Sequence, residues 1–143
     1  MVERQLKNET LATANDFKVV CITGPRQSGK TTLCRQVFKN KPYVSLEDPD
    51  LAEKAQLNGR EFLTQFKNGA VLDEIQRVPT LFNYLQRIVD EKNKNNQFVL
   101  TGSSNFLMQE NISQSLAGRT GYIELLPFSL SELQHANKKS RTL

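Results

Sequence analysis

The chain has 143 residues, 38% of them hydrophobic and 24% charged, with 19 basic against 15 acidic side chains and a formal net charge of +4. That length suits one domain with a real core, and the balance of apolar and charged residues excludes an intrinsically disordered chain. No apolar run approaches the roughly 20 residues of a membrane-spanning helix, and Cys21, Cys34 and the lone His135 are too few to frame disulfides or a metal cluster.

The first sixteen residues, MVERQLKNETLATAND, are polar and lack the apolar centre of a secretory signal, so the expected location is cytoplasmic. They read as a lead-in helix or extension over 1–17, ahead of a core at 18–134 and a basic tail at 135–143. A strand is predicted at 18–23 (KVVCIT), a β-branched run ended by glycine and proline. After a glycine loop, Leu33, Cys34, Val37 and Phe38 recur at helical spacing. A second strand is predicted at 43–46, and Asp48-Pro49 supplies a cap and a first helical residue. A third strand lies at 70–73. Pro79 opens a helix carrying Leu81, Phe82, Leu85, Ile88 and Val89 on its buried face, and 91–97 reads as a polar loop. A fourth strand is predicted at 97–101, a short helical segment at 112–117 closed by Gly118, and a fifth strand at 122–125. Ser129 and Glu132 have capping-box spacing ahead of a last helix.

Strands separated by helices, and reading as continuous apolar runs, imply parallel pairing with both faces covered. The expected fold is therefore an α/β three-layer sandwich with a mostly parallel five-stranded sheet.

The segment 24–31, GPRQSGKT, fits GxxxxGK[ST] at every fixed position and lies between a predicted strand and a predicted helix. Phosphate oxygens need several donors converging on a small volume, and a tight loop entering a helix N-terminus supplies them. The expected phosphate-binding residues are Gly24, Pro25, Arg26, Gln27, Ser28, Gly29, Lys30, Thr31 and Thr32. Lys30 is expected to reach the β- and γ-phosphates, and the Thr31 hydroxyl to join a magnesium shell.

Asp73 and Glu74 follow an apolar run, at the strand end where an open parallel sheet binds ligands. Asp73 is expected to hold the metal and Glu74 to polarise an attacking water. Ser103 is the preferred contact to that water or the γ-phosphate, with Ser104 and Asn105 as alternatives and an N-cap role equally open. Arg119 is the candidate for reading the γ-phosphate, from the same or a neighbouring subunit. Arg26 and Arg77 are expected to steer anions or pair with carboxylates, and Glu47 and Asp48 to cap a helix first.

Together, VVCITGPRQSGKTTL, YVSLEDPD, AVLDEIQRVP, FVLTGSSNFLM and SQSLAGRTGYIELLPFSLSEL resemble the AAA_14 family of prokaryotic AAA-type ATPases, many of which continue into a DUF4143 domain. The likeness covers about residues 18–132. It implies a P-loop NTPase fold, ATP and Mg2+ as cofactors, Lys30 and Thr31 as the Walker A pair, and Asp73 and Glu74 as the Walker B pair. It also implies a sensor-like polar residue within 101–105, and adenine in preference to guanine. Similar proteins run well past PFSLSEL, so binding is expected to outlast hydrolysis in a chain ending at Leu143.

The leading expectation is an ATP-binding domain with magnesium-dependent hydrolysis in the complete protein. A nucleotide-dependent switch with little turnover is the first alternative, and a small-molecule kinase the second, although no arginine-rich lid segment is evident. Self-association and a protein partner stay open. Nucleic acid stays possible but unsupported, because the excess charge forms no basic stripe.

Overall fold

The computed structural model describes residues 4–25, 28–103 and 106–125, with no statement made of the side chains of Phe106 and Leu107. Expectations at Arg26, Gln27, Ser104, Asn105, Ser129, Glu132, His135 and the basic tail lie outside these residues.

The strand Val19–Thr23 (β1) is buried along its whole length, as its β-branched run demands. It is flanked by Phe98–Gly102 (β4) and Thr120–Glu124 (β5), both parallel to it, with Thr23 opposite Gly102 on one side and Glu124 on the other. Val71–Asp73 (β3) pairs with β4, and Tyr43–Ser45 (β2) with β3. The sheet has five strands in the order β2-β3-β4-β1-β5, and every pairing is parallel.

Alternating strand residues feed two cores. Val19, Cys21, Leu72, Phe98 and Leu100 pack with the helices Pro49–Leu57 (α3), Gly59–Thr64 (α4), Leu81–Lys92 (α5) and Phe106–Ser115 (α6). Val20, Ile22, Val71, Val99 and Ile123 face Arg4–Asp16 (α1) and Lys30–Val37 (α2). Each large aliphatic side chain fully buried this way is worth about 1.5–3 kcal/mol, so neither helical layer can be removed without exposing half the sheet. Both cysteines are buried and free. Burial pushes each thiol up to about 12, which makes them inert packing residues.

Several boundaries differ from the sequence reading for local reasons. Helix α1 occupies the segment left as helix or extension, anchored by Leu6, Thr10 and Ala14 at four-residue spacing. Helix α4 was not expected, since it begins at a glycine. Asn58 starts it by accepting from Glu61 N (3.2 Å) while donating to Glu61 Oε2 (3.0 Å). Helix α5 runs through Glu91, which read as loop, and ends at Asn93 in the left-handed region (φ 51°). Helix α6 begins six residues before the expected 112–117 segment. Among its described side chains Met108 and Ile112 are buried, continued by Leu116 beyond its end, with the polar residues Gln109, Glu110 and Asn111 between them. Strand β5 starts at Thr120, two residues early, because Thr120 and Gly121 pair with Val19 and Val20 although glycine carries no strand signal. The Asp48-Pro49 start is as expected, with Asp48 Oδ1 accepting from Asp50 N at 2.9 Å. Among the described residues no helix is long and apolar enough to cross a membrane.

At the N-terminal edge of the sheet, one lysine joins three loops. Lys41 Nζ donates to the carbonyls of Asn68 (2.9 Å), Asn96 (2.8 Å) and Gln97 (3.0 Å), tying together the approaches to β2, β3 and β4. Burial lowers its pKa, yet the three carbonyls give its charge partners. Replacing Lys41 by Met leaves those acceptors without their donor, at a cost of about 2 kcal/mol. Thermal unfolding is then expected to fall by roughly 6 °C in a chain of this size. An unchanged midpoint in scanning calorimetry would remove Lys41 from the account of stability.

Candidate functional site

The C-terminal ends of the parallel strands meet on one cleft of about 330 Å³, lined by Gly29, Lys30, Thr31, Thr32, Glu47, Asp73 and Glu74. Lys30 and Asp73, 43 positions apart in sequence, are brought together because β3 and the β1–α2 loop end on the same edge of the sheet.

The loop is shaped by its glycines. Gly29 caps α2 with φ 97°, a left-handed conformation that L side chains rarely adopt. At the start of the helix Leu33 N donates to Gly29 O at 2.9 Å. The N-terminal end of α2 borders the cleft, and a helix start offers amide donors and a positive dipole to an anion. Ser28 is 1% exposed, and its Oγ is buried without a hydrogen-bond partner. Lys30 is 8% exposed, and its ammonium rests on the carbonyls of Gly24 and, at 3.4 Å, Pro25. A buried ammonium facing neutral carbonyls and an orphaned hydroxyl are groups that an anion in the loop would satisfy.

The acidic pair is held from β4. Thr101, fully buried, donates from Oγ1 to Asp73 Oδ1 at 2.5 Å and accepts from Glu74 N at 3.3 Å. That second bond supports Glu74 in the left-handed region (φ 58°, ψ 49°). A non-glycine residue there is uncommon, and such conformations gather at functional sites. Within the stretch 101–105, Thr101 thus contacts the acidic pair. Ser103, the preferred residue on sequence, follows just beyond β4 and is half-buried.

Two residues gain importance that spacing did not give them. Tyr43 OH lies 3.1 Å from Thr31 Oγ1, and its ring carries the Arg35 guanidinium at 4.3 Å from the centroid. Burial, with smaller effects from Asp73 and Cys34, pushes this phenol up to about 12, so it stays neutral at physiological pH. Glu47, expected chiefly as a capping residue, lines the cleft, and Arg77 Nη2 sits 3.6 Å from its Oε2. An aromatic at the start of a short strand reads as core, so nothing in sequence marked Tyr43.

The fit to magnesium is that of a hard cation taking few protein ligands. Mg2+ binds through one or two carboxylates plus substrate phosphates and water. Asp73 and Thr31 supply such a set. The described residues hold no cluster of three or more His, Cys, Asp or Glu side chains that could form an all-protein metal cage.

Arg119 requires a correction. It immediately precedes β5, where its carbonyl accepts from Val19 N at 3.0 Å, so it lies at the N-terminal edge of the sheet. The glycine loop that lines the cleft begins at the opposite end of β1, roughly 15 Å away for a five-residue strand. Arg119 instead forms a two-pronged pair with Asp90, Nε to Oδ1 and Nη2 to Oδ2, both 2.8 Å, and Lys18 Nζ joins at 3.1 Å. A role at its own chain's phosphates is ruled out by this geometry. Of the two expected roles, only the one toward a neighbouring subunit is compatible with it.

The pair has a pH signature. Hydrogen bonds from Arg119, then Lys18, hold the Asp90 carboxyl down from 3.8 to about 2. Because the folded state binds this proton less readily than the unfolded chain, the contribution is complete above about pH 4 and is lost as pH falls through about 2. Urea midpoints of the wild type and Asp90→Asn are expected to differ at pH 6 and to converge toward pH 2. A gap independent of pH would dismiss the pair as a source of stability.

Comparison with known proteins follows the same lines. The profile of a family described as an AAA domain, AAA_14, matches residues 16–134. The uncharacterized protein Rv2008c of Mycobacterium tuberculosis is 36% identical over 108 residues, 75% of this chain and 24% of that protein, so the chain spans about a quarter of that relative's length. Among solved structures, the Walker-type ATPase paby2304 of Pyrococcus abyssi superposes with a TM-score of 0.59 at 14% identity, covering 100% of this chain and 59% of that one. AMPPCP-bound DnaA from Aquifex aeolicus gives 0.53 at 15% identity, over 97% of this chain and 50% of that one. At these identities the two structures share the fold.

Proposed function

The chain belongs to the AAA_14 family of AAA domains, and from that premise we propose that it binds ATP with magnesium in the cleft at 24–32 and hydrolyses it in the complete protein. The observation that carries this reading is the meeting of Lys30, Thr31, Asp73 and Glu74 on one cleft. The presence of AMPPCP, an ATP analogue, in the structurally similar DnaA supports an adenine nucleotide.

In this reading the amides of Lys30, Thr31 and Thr32 and the Ser28 hydroxyl donate to phosphate oxygens. The Lys30 ammonium leaves the loop carbonyls for the β- and γ-phosphates, exchanging neutral acceptors for charged ones. Asp73 and Thr31 would hold a magnesium ion, which when bound would supply charge neutralisation at the transferring phosphate. Glu74 orients a water and takes its proton as the water oxygen attacks the γ-phosphorus, while the bond to the bridging oxygen breaks and ADP leaves with that oxygen. Thr101 keeps the Asp73 carboxylate and the Glu74 backbone in place, and Ser103 faces the terminal phosphate.

Titration of ATP with and without Mg2+ into the purified protein, followed by phosphate release, tests the reading. Saturable, magnesium-dependent heat that is absent in Lys30→Ala is the expected result. Indifference of the wild type to every nucleoside triphosphate would refute it.

A further inference from the structure

We propose that Gln76 is a positioning residue for Glu74, fixing that carboxylate at the rim of the phosphate cleft from the side away from the nucleotide. The proposal rests on the reading of Glu74 as the group that orients the attacking water. Its basis is geometric. The left-handed conformation of Glu74 turns the chain into the short 3-10 helix Ile75–Arg77, which brings Gln76 back alongside. Gln76 Nε2 then donates to Glu74 Oε1 at 2.5 Å. Glu74 lines the cleft and Gln76 does not, so the amide grips one carboxylate oxygen from behind.

Two further observations show that this placement is specific. Gln76 Oε1 is buried without a hydrogen-bond partner. Turning the amide over would aim that oxygen at the carboxylate, so the orientation is set by the bond to Glu74. An orphaned buried acceptor disfavours folding, and an apolar side chain of similar shape would avoid it. Secondly, β4 ends at Gly102, where an added Cβ would overlap Gln76 Oε1 and come within 2.7 Å of Met108 Sδ. The missing side chain leaves the slot in which the amide lies, with Met108 of α6 beside it.

The consequence is directional. A glutamate has three rotatable side-chain bonds, and a tether on one oxygen restricts where the carboxylate points. Misplacing a reacting group by about 1 Å costs up to about 10²-fold in rate.

The test compares wild type, Glu74→Gln, Gln76→Met and Gly102→Ala for turnover number, Mg-ATP dissociation constant and thermal midpoint. Gln76→Met keeps the shape and removes the orphaned oxygen. It is expected to lower kcat by about tenfold or more, leave the dissociation constant within about twofold, and leave the midpoint equal or higher. A merely structural Gln76 predicts the opposite split, a lowered midpoint with kcat retained, and that result overturns the proposal. Wild-type kcat in Gln76→Met overturns it too, while the loss in Glu74→Gln leaves the role of Glu74 standing. Where Gln76→Met does not fold, Gly102→Ala, which displaces the same amide, decides by the same split. Full turnover in Glu74→Gln removes the role of Glu74 and, with it, this proposal.

Discussion

Changing Glu74 to Gln is expected to lower ATP turnover by a factor of about 10² to 10³ while Mg-ATP binding is retained, the size of effect a positioned general base supplies. The substitution isolates chemistry from architecture. Gln has nearly the same shape, and its amide oxygen can still accept from Gln76 Nε2 and occupy the place of Glu74 Oε1. The left-handed backbone at position 74 is supported by its own amide bonding to Thr101 Oγ1, which the side-chain change does not touch. What is lost is the ability to take a proton from water. Single-turnover phosphate release measured beside equilibrium binding separates the two quantities. Equal turnover in both proteins would end the assignment of Glu74 as base, and loss of binding alongside turnover would make it a ligand of the nucleotide complex instead.

Replacing Lys30 by Ala is expected to weaken ATP binding by at least about 100-fold, equivalent to about 2.8 kcal/mol. Lys30 brings a buried positive charge to the cleft, where charge-assisted bonds to phosphate oxygens are stronger than neutral ones and water screens them less. In the structure the ammonium is held by Gly24 and Pro25 carbonyls, so its removal also relaxes the loop. A thermal scan without nucleotide keeps this second effect apart from binding. The expected pattern is a modest shift in midpoint together with a loss of the nucleotide-induced shift. Wild-type affinity in Lys30→Ala would contradict a phosphate role for the 24–32 loop.

Much of the fold was legible because its signals are local. The phosphate loop demands a strand before it and a helix after it, and β1 and α2 stand there. Apolar runs at 18–23, 70–73 and 97–101 read as doubly buried strands, and Val20, Val71 and Val99 do face one core while Cys21, Leu72 and Leu100 face the other. Elements with weak local signals were harder to place. Helix α4 depends on one asparagine cap ahead of a glycine, and in α6 three polar residues separate Met108 from Ile112.

The sequence by itself determined the glycine loop between β1 and α2, the acidic strand end and the layered parallel sheet, because glycine spacing and strand hydrophobicity act over a few neighbouring residues. Only the tertiary structure decided which groups share the cleft and which end of the sheet each one faces. Thr101 reaches Asp73 and Glu74 because β3 lies beside β4, and Tyr43 reaches Thr31 across 12 positions. Arg119 follows a glycine turn at the start of β5, and strand direction then carries it to the edge away from the phosphates, where it pairs with Asp90. Strand order and direction are set by packing over the whole chain, so the partners of Thr101, Gln76 and Arg119 could be named only after the sheet had formed.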